Sequence, residues 1–360
     1  MTDERIPCAI LGASGYIGQH FARLLADHPS FAEPVLVATE RSEGRSLSDV
    51  WQLDEPPPAD LAGRSLVARS AASLASKGIR VVFSALPSGT AGPLELELVR
   101  RGVSVFSNAA DHRMDAHVPL LVPEVNSAHL RIGRPGKKRG AILVTNPNCS
   151  ATGLVLSLKP IWPLLSPKTV HVATYQALSG AGFPGVPSLS IADNVVPYIR
   201  DEEEKIEHES ARILGRVSAD RVMPSSVRLL AHCARVGTRD GHLEAVTVEA
   251  RRAPPIEKLE AAWREFDPLR ELRLPTAPLP PIEVRPEADR PQPLRDRWAG
   301  RPARARGMAA VVGRVRWDPP FLRFFVLSHN AVRGGAGGSV LNAELALSRG
   351  FLGRFPEGPE

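Results

Sequence analysis

The sequence is poor in cysteine and contains no long apolar run. Its three cysteines, Cys8, Cys149 and Cys233, show neither the spacing of metal ligands nor a disulfide framework. We therefore expect a protein of the reducing cytoplasm that holds no metal. No apolar stretch is long enough to span a bilayer, and the start of the chain, MTDERIPCAILGASGYIG, puts acidic residues ahead of a short apolar run. This pattern predicts neither a signal peptide nor a membrane span.

A concentrated basic block is also missing. The formal net charge is +6, but lysine and arginine are dispersed, with one short run at Lys137–Arg139 and no basic stripe interleaved with aromatic residues. This distribution argues against a nucleic-acid groove and favours anionic small molecules as ligands. At 360 residues, 43% of them hydrophobic, the chain exceeds what one core usually fills, so we expect two domains.

A glycine-rich turn follows the first apolar segment, Ile6–Leu11, which has the character of a buried strand. The glycines Gly12, Gly15 and Gly18 are spaced GxxGxxG, and a helical pattern follows them. The apolar residues of that pattern are Ile17, Phe21, Leu24 and Leu25. A strand, a glycine turn and a helix form the context of a dinucleotide-binding loop, in which the pyrophosphate lies at the helix N-terminus.

The next strand, within EPVLVAT, is followed by ERSEGR. Glu40 at this strand end would suit a ribose 2′-hydroxyl, whereas Arg41 with Ser42 would suit a 2′-phosphate. Glu40 therefore leaves both nicotinamide cofactors open. We favour NADP because a guanidinium beside a hydroxyl is well matched to a phosphate.

Strand and helix patterns alternate through the first half of the chain. Buried strands are predicted in Ile79–Pro87 and Val103–Ala110, with a helical pattern between them. This alternation predicts an α/β fold, a Rossmann-type doubly wound parallel sheet with ligands at the carboxyl ends of its strands. The residues at two such ends are Ser84, Leu86, Pro87, Asn108 and Arg113. The segment SALP could equally be only a tight turn.

After Cys149 the pattern changes to strands with alternating polarity. TVHVATYQAL, EAVTVEARR, MAAVVGRVRW and FLRFFVLS predict a second, α+β domain with a mixed, mostly antiparallel sheet. The acidic segment DEEEKIEHESARIL predicts a helix. The segment 274–302 is dense in proline and charge, and we expect it to be an ordered surface connection.

The stretch VTNPNCSATG places Cys149 between a predicted strand and a predicted helix. A thiol at a helix N-terminus meets unsatisfied backbone N–H groups and the positive end of the helix dipole, and both favour the thiolate. Cys149 is therefore a candidate nucleophile. A buried structural cysteine is the alternative, and this stretch alone leaves it open.

The stretch RVGTRDGHLEAVTVEA predicts two strands joined as a hairpin, with Asp240 and Gly241 in the turn. In such a hairpin Arg235 and His242 would project to the same side, close to the turn. An imidazole there could exchange a proton with a thiol, and a guanidinium could bind a carboxylate. Taken alone, the two residues could equally be a hydrogen-bonded turn histidine and a solvated arginine.

Several motifs together carry a family resemblance. GASGYIGQ, SNAADHRMDAHVPLLVPEVN, NPNCS, QALSGAGFPGVPSLSIADNVVPYI, EEEKIEHE, RVGTRDGH, DRPQPLRDRWAG and HNAVRGGAGGSVLNAEL span nearly the whole chain. In this order and spacing the chain resembles the aspartate-semialdehyde dehydrogenases, above all the branch of archaea, fungi and some bacteria. The resemblance implies NADP-dependent reduction of 4-aspartyl phosphate to aspartate 4-semialdehyde with release of phosphate. That reaction is a step toward lysine, threonine and methionine.

The resemblance also implies roles for individual residues. Cys149 would form the thioester, His242 would act as the base, and Gln176 would orient the substrate. The backbone N–H groups at the helix start, with the side chain of Asn148, would stabilise the oxyanion, although Asn148 taken alone could equally be a turn and cap residue. The residues implied to bind substrate are Arg235 for the α-carboxylate, Arg113 and Lys205 for the phosphate, and Glu202 for the ammonium. Because Glu203 and Glu204 follow Glu202 directly, the register of the ammonium ligand is open by one residue. Cys233 could line the pocket, but we expect it to serve packing.

The implied NADP site extends beyond the first glycine turn. Ser179 and Gly180 would cover the nicotinamide, and Asn330 with the glycines up to Gly338 would form a C-terminal contact. The complete expected set is Gly12, Ser14, Gly15, Tyr16, Ile17, Gly18, Thr39, Arg41, Ser42, Ser84, Leu86, Pro87, Asn108, Ser179, Gly180 and Asn330.

We expect an NADP-binding domain at residues 1–148, completed by a C-terminal helix at 335–355, and a catalytic and dimerisation domain at 149–334. The resemblance implies a homodimer or homotetramer. We assign no function to the basic insertion at 134–140. Two other functions are weighed: malonyl-CoA reduction with NADPH, which would need neither the phosphate ligands nor the ammonium-binding glutamate, and a non-catalytic dinucleotide-binding redox sensor. N-acetyl-glutamyl-phosphate reductases share the reaction type, but SGAGFPGVPS and DRPQP do not resemble them.

Overall fold

The structure, a computed structural model, describes residues 5–133 and 140–352. The basic insertion lies outside the described residues except for Gly140. Within these two ranges, every helix is too short or too polar to cross a membrane.

The first sheet is parallel throughout and has the order β3-β2-β1-β4-β5-β6. Its strands are Cys8–Leu11 (β1), Val35–Ala38 (β2), Val67–Ala68 (β3), Val81–Ser84 (β4), Ser104–Ser107 (β5) and Leu143–Thr145 (β6). Strands β1, β4 and β5 are buried along their whole length, as expected for a parallel sheet covered on both faces. This sheet confirms the predicted Rossmann-type architecture.

Helices alternate with these strands and continue into the second half of the chain. They are Tyr16–Leu25 (α1), Leu47–Val50 (α2), Ala59–Ala62 (α3), Ala71–Ser76 (α4), Gly92–Arg100 (α5), Pro123–Asn126 (α6), Cys149–Leu158 (α7), Trp162–Leu165 (α8), Ser188–Ile191 (α9), Glu202–Ile213 (α10), Ile256–Glu265 (α11), Pro293–Asp296 (α12) and Gly337–Ser348 (α13). Phe21 of α1 and Val340 of α13 belong to one core of the first sheet, and Leu98 of α5 belongs to the core on its other side. The C-terminal helix therefore packs with the N-terminal fold.

The second sheet is mixed, with three antiparallel and two parallel pairings. Its order is β10-β7-β11-β14-β13-β12, and a separate small sheet pairs β8 with β9. The strands are Pro167–Gln176 (β7), Arg216–Ser218 (β8), Arg221–Met223 (β9), Arg228–Arg235 (β10), His242–Ala250 (β11), Ile282–Arg285 (β12), Ala310–Asp318 (β13) and Phe321–Ser328 (β14). The prediction of a mostly antiparallel second sheet is confirmed.

One face of the second sheet is covered by helices. Leu154 of α7, Ile206 of α10 and Trp263 of α11 share a core with Val246 of β11 and Phe324 of β14. On the other face, the alternate residues His171 and Tyr175 of β7 are exposed. Helix α7, which begins at Cys149, is thus held between the inner face of this sheet and the rest of the molecule.

The predicted hairpin between Arg235 and His242 is wrong. Strand β7 lies between β10 and β11, pairing in parallel with the first and antiparallel with the second. A short strand–turn–strand pattern cannot distinguish a hairpin from a connection that crosses the end of a third strand. Arg235 is opposite Gln176 of β7, and Leu243 is opposite Tyr175, so His242 adjoins Gln176 from the other side. Arg235 and His242 nevertheless share a face of the sheet, as expected, because both lie beside Gln176 of β7.

The C-terminal helix is shorter than predicted. It begins at Gly337, after a π-helical turn at Val332–Ala336, and ends at Ser348 instead of extending over 335–355. Gly350 has a φ of +72°, a left-handed conformation that ends a helix. Residues 353–355 of the predicted helix lie outside the described residues.

Candidate active site

The thiol of Cys149 lies at the first position of α7, as predicted. Asn148 caps this helix, because its side-chain oxygen Oδ1 accepts hydrogen bonds from the backbone N–H groups of Ser150 (2.9 Å) and Ala151 (3.1 Å). Cys149 is half-buried as a residue, while Asn148 is buried. Asn148 therefore fixes the start of the helix, and two of the N–H groups expected to serve an oxyanion are already occupied.

His242 is the partner of this thiol. Its Nε2 lies 3.1 Å from the Sγ of Cys149. Its other ring nitrogen, Nδ1, accepts a hydrogen bond of 3.0 Å from the backbone N–H of Ala177. His242 is fully buried at the start of β11, so both ring nitrogens are committed and the ring has a fixed orientation. The predicted pairing of cysteine with histidine is present in the geometry.

The electrostatics differ from the expectation for a thiol at a helix start. Burial, reinforced by the negative charge of Glu202, raises the pKa of Cys149 to about 12, although Arg235 and Arg113 oppose the change. Burial and the positive charge of Arg235 lower the pKa of His242 to about 3. Without substrate the pair is therefore a neutral thiol beside a neutral imidazole. The expected thiolate is not favoured in this state, because desolvation outweighs the helix dipole.

Three of the predicted substrate residues surround this pair. Gln176, at the end of β7, donates from Nε2 to Glu202 Oε1 at 2.9 Å. Arg235, at the end of β10, donates from Nη1 to the carbonyl of Ala177 at 2.7 Å. Both arginine and glutamate are buried, so a cation and an anion are held on either side of Gln176.

The acidic run at the start of α10 has a defined register. Glu202 faces Gln176, whereas Glu203 accepts a hydrogen bond of 2.9 Å from the backbone N–H of Cys233 and thus supports β10. Glu204 is exposed. Cys233 lies in the core of the second sheet, where burial raises the pKa of its thiol to about 12.

The two predicted phosphate ligands lie in different surroundings. Arg113 is buried and donates from Nη1 to Glu209 Oε1 (2.9 Å) and from Nη2 to the carbonyl of Asn108 (2.7 Å). Its Nε is buried without a hydrogen-bond partner in the described part of the chain. Lys205 lies on the outer side of α10, 3.9 Å from Asp201 and with a side chain that is 34% exposed. Hydrogen bonds therefore hold the Arg113 side chain in place before any ligand binds, whereas the Lys205 side chain is not held in this way.

The predicted dinucleotide loop has the required backbone. Gly12 has a φ of +77°, and a Cβ there would come within 2.8 Å of the carbonyl oxygen of Ala85. A Cβ on Gly18 would collide with the carbonyl of Gly12, so α1 packs directly on the turn. Gly15 precedes α1 without any side-chain cap, which leaves the helix start to a ligand. This backbone fits a pyrophosphate.

Other predicted cofactor residues lie at the same edge of the first sheet. Thr39 follows β2 and is exposed, as is Arg41 in the 3-10 turn Glu40–Ser42. The remaining members of the expected set near the strand ends are Ser14 and Ile17 after β1, Ser42 after β2, Ser84, Leu86 and Pro87 at the end of β4, and Asn108 after β5. The sheet thus gathers them at its carboxyl edge, as a doubly wound fold requires.

The two halves of the predicted cofactor site meet at the loop before His242. The hydroxyl of Tyr16 donates to Asp240, and Asn330 Nδ2 donates to the hydroxyl of Ser179 at 2.8 Å. Gly180 lies against Arg235 and His242: a Cβ there would be 2.7 Å from Arg235 Nη1 and 3.2 Å from His242 Cε1. The expected nicotinamide loop and the thiol–imidazole pair are therefore neighbours.

Sequence reasoning missed three acidic residues. Glu209 joins Arg113 to the backbone of Asn148, Asp240 holds Tyr16, and Glu244 is buried two residues after His242. The signal for Glu244 was present, because it alternates with His242 on one face of β11. Nothing in the sequence pairs Glu209 or Asp240 with partners so far away along the chain.

Comparison with known proteins identifies the family. Residues 7–132 match the family described as semialdehyde dehydrogenase, NAD binding domain, and residues 158–333 match semialdehyde dehydrogenase, dimerisation domain. An aspartate-semialdehyde dehydrogenase of Archaeoglobus fulgidus is 44% identical over 97% of this chain and 100% of its own length. A malonyl CoA reductase (NADP) of Metallosphaera sedula is 37% identical over 96% of this chain and 98% of its own.

A solved structure gives the same result. The aspartate semialdehyde dehydrogenase of Candida albicans, crystallised with NADP, has a TM-score of 0.85 and is 33% identical, covering 96% of this chain and 99% of its own. The archaeal and fungal relatives agree with the branch expected from the motifs. The chain belongs to the aspartate-semialdehyde dehydrogenase family.

Proposed function

We propose that this protein catalyses the NADP-dependent reduction of 4-aspartyl phosphate to aspartate 4-semialdehyde and phosphate, through a thioester on Cys149. The observation that carries the proposal is the contact of 3.1 Å between Cys149 Sγ and His242 Nε2, with Arg235 and Glu202 buried beside it. A substrate with an ammonium, a carboxylate and an acyl phosphate needs this set of opposite charges around a nucleophile.

In the first half of the reaction, the sulfur of Cys149 attacks the acyl carbon. The bond from carbon to the phosphate oxygen breaks, phosphate leaves with a proton, and a thioester remains on Cys149. His242 is the group within reach to exchange a proton with the sulfur.

In the second half, NADPH held by the glycine turn and beside Ser179 and Asn330 would supply a hydride to the thioester carbon. The resulting oxyanion would lie near the start of α7, beside the side chain of Asn148, which is the donor that the family resemblance implies. It collapses with cleavage of the carbon–sulfur bond, which releases the aldehyde and returns the thiolate to Cys149.

Substrate recognition follows from the charges. Arg235 would bind the α-carboxylate through its planar fork, and Glu202 would bind the ammonium next to Gln176. Arg113 would bind the phosphate, and its unpartnered buried Nε supports this assignment. Lys205 would reach the phosphate only by a change of rotamer, since it now lies beside Asp201.

The cofactor site is proposed as residues 1–148 together with the C-terminal helix, and the catalytic and dimerisation domain as 149–334. Gly12 and Gly15 would hold the pyrophosphate, Arg41 and Ser42 the 2′-phosphate, and Ser179 with Asn330 the nicotinamide side. The exposure of Arg41 beside Thr39 at the end of β2 supports a preference for NADP.

Malonyl-CoA reduction is the second candidate, because one relative carries that name at 37% identity. The buried hydrogen bond between Gln176 and Glu202 favours a substrate with an ammonium group instead. A non-catalytic redox sensor would need neither Arg235 nor Glu202 in the buried site.

The test is the phosphate-dependent reverse reaction with aspartate semialdehyde, phosphate and NADP, followed by NADPH absorbance. We expect NADPH formation that requires phosphate and is lost in Cys149→Ala. Oxidation of NADPH by malonyl-CoA, with no reaction of the semialdehyde, would establish the second candidate. Binding of NADPH without turnover of either substrate would favour the sensor.

We further propose that the protein is a cytoplasmic homodimer or homotetramer assembled through the outer face of the second sheet. A reducing compartment keeps a nucleophilic thiol free, and the three cysteines are unpaired. The match of residues 158–333 to a dimerisation domain and the exposure of Tyr175 on that face support the assembly. Light scattering would decide the number of subunits, and an aspartate at Tyr175 should shift it toward monomer.

A further inference from the structure

Ala177 holds two of the buried side chains of the candidate site, His242 and Arg235. It follows β7 directly and is fully buried. Its N–H donates to His242 Nδ1 at 3.0 Å, and its carbonyl oxygen accepts from Arg235 Nη1 at 2.7 Å. A single backbone residue therefore connects the proposed carboxylate ligand to the proposed base.

The contact with Ala177 determines where His242 carries its proton. A backbone N–H can only donate, so the Nδ1 that faces it must be the unprotonated nitrogen. In a neutral imidazole the proton then lies on Nε2, which is 3.1 Å from the sulfur of Cys149. In this arrangement His242 donates a hydrogen bond to sulfur and has no site free to accept the thiol proton.

We propose that Ala177 is a positioning residue that withholds the base function of His242 until a carboxylate occupies Arg235. The proposal rests on the proposed function, because it takes Arg235 to be the carboxylate ligand. A bound carboxylate competes with the carbonyl of Ala177 for Nη1 and weakens that hydrogen bond. The N–H of Ala177 belongs to the preceding peptide unit, whose Gln176 carbonyl accepts a hydrogen bond of 3.0 Å from Val236 N. Rotation about the backbone bonds of Ala177, with loss of that second hydrogen bond, then takes the N–H away from the imidazole.

The proton steps balance once that N–H has moved. Nε2 releases its proton to water and Nδ1 takes one from water, which converts one neutral tautomer into the other. Nε2 can now accept the proton of the Cys149 thiol, leaving a thiolate and an imidazolium. The thiolate therefore forms when substrate is present, which limits its reaction with other electrophiles.

The residues that follow Ala177 would have to move with it. The next residues, the 3-10 turn Leu178–Ala181, are held by hydrogen bonds from Leu178 N to the carbonyl of Thr238 (2.7 Å) and from Ser179 N to that of Arg239 (3.1 Å). Gly180 in this turn lies against both Arg235 and His242. A shift of Ala177 thus carries the proposed nicotinamide loop with it.

Nitrogen NMR of protein labelled with ¹⁵N-histidine tests the tautomer directly. The signal of His242 is assigned by its loss in His242→Gln. In the unliganded protein we expect Nε2 to be protonated and Nδ1 unprotonated. A protonated Nδ1 in that state would overturn the proposal, whatever the enzyme activity proves to be.

A backbone ester isolates the contribution of Ala177. Replacement of this residue by lactic acid through nonsense suppression puts an ester oxygen in place of the N–H, so that the donor is lost with little change in size. We expect the Nδ1-protonated form of His242 to appear without ligand, whereas a lactic acid at Ala59, an exposed residue at the start of α3, should leave the spectrum unchanged. An unchanged tautomer in the ester at 177 would refute the role of this N–H.

The coupling to Arg235 is tested with L-2-aminobutyrate, which has an α-carboxylate and an ammonium but no reactive carbonyl. Saturating probe should move wild-type His242 from the Nε2-protonated form toward a form protonated at Nδ1. Binding of the probe, verified by calorimetry, with an unchanged tautomer would overturn the coupling. Failure to bind would instead count against Arg235 as carboxylate ligand, and hence against the proposed function.

Discussion

Glu209 and Asn148 are joined by a hydrogen bond of 2.6 Å, from the backbone N–H of Asn148 to Oε2 of Glu209. The other oxygen of the same carboxylate accepts from Arg113 at 2.9 Å. Helix α10 therefore fixes the residue that caps α7 and, through it, the position of Cys149. The link joins the proposed phosphate ligand to the start of the catalytic helix.

Removing the negative charge of Glu209 should weaken its hydrogen bonds with Arg113 and with the backbone of Asn148. In Glu209→Gln we expect a loss of roughly 1.5–3 kcal/mol in the free energy of unfolding, since the buried Arg113 loses its counter-charge. Urea denaturation measures this loss. Glu204→Gln, in the same helix but exposed, is the matched control and should change stability little. Equal stability of the two variants would show that the bridge is unimportant.

Gly180 should tolerate no side chain. In Gly180→Ala the new methyl group would lie 2.7 Å from Arg235 Nη1 and 3.2 Å from His242 Cε1, so the turn or the catalytic residues must shift. A displacement of about 1 Å at a reacting group costs on the order of 100-fold in rate, and we expect kcat to fall by that order. Gly237→Ala, where the added carbon meets no atom within 4 Å, should retain activity. Steady-state kinetics of both variants decide the point.

Tyr16 links the dinucleotide loop to the strand that carries His242. Burial alone would raise the pKa of Asp240, but hydrogen bonds from Tyr16 and Ser179 hold this pKa below its ordinary value. Tyr16→Phe removes one of these bonds, and we expect a loss of about 1–3 kcal/mol in stability and a higher KM for NADP. Tyr198→Phe is the control, because Tyr198 is 69% exposed. Unchanged KM and unchanged denaturation midpoint would contradict a coupling role.

Glu244 should make stability depend on pH. Burial, with the negative charge of Glu202, raises the pKa of this carboxyl well above its ordinary value, and both of its oxygens lack partners in the described ranges. Above the unfolded pKa of about 4.5, the unfolded chain therefore loses a proton that the folded protein keeps. Wild-type stability should fall with rising pH in that window by about 1.4 kcal/mol per pH unit from this group.

The variant Glu244→Gln removes this titration. Its stability relative to wild type should increase steadily from pH 5 upward until the folded pKa is reached. Glu249→Gln, on the same strand, should behave differently, because Glu249 is paired with Lys168 at 2.7 Å and its pKa is lowered by that hydrogen bond. Urea titrations at several pH values compare the two, and parallel curves for Glu244→Gln and wild type would mean that Glu244 ionises normally.

Much of the fold could be predicted because it depends on local patterns. The pattern of apolar residues located β1, β4, β5, β7, β11, β13 and β14 to within a few residues, but not β12, which lies in the segment 274–302 that we expected to be a surface connection. The glycines of the first turn indicated its backbone. The course of the chain between β10 and β11 could not be predicted in this way. Whether two strands pair with each other or with a third depends on contacts between residues distant in sequence.

The same distinction between local patterns and long-range contacts applies to the candidate site. The sequence by itself determined the residue types, the nucleotide-binding turn and the placement of Cys149 at a helix start, because each of these depends on neighbours in the chain. Only the tertiary structure decided that Arg235 and His242 flank Gln176. It also decided that Glu202, and not Glu203, faces the site. The contacts of Ala177 with His242 and Arg235 depend on it as well. It also decided the charge state of the thiol and imidazole, because desolvation depends on everything packed around a group and not on the residues beside it in sequence.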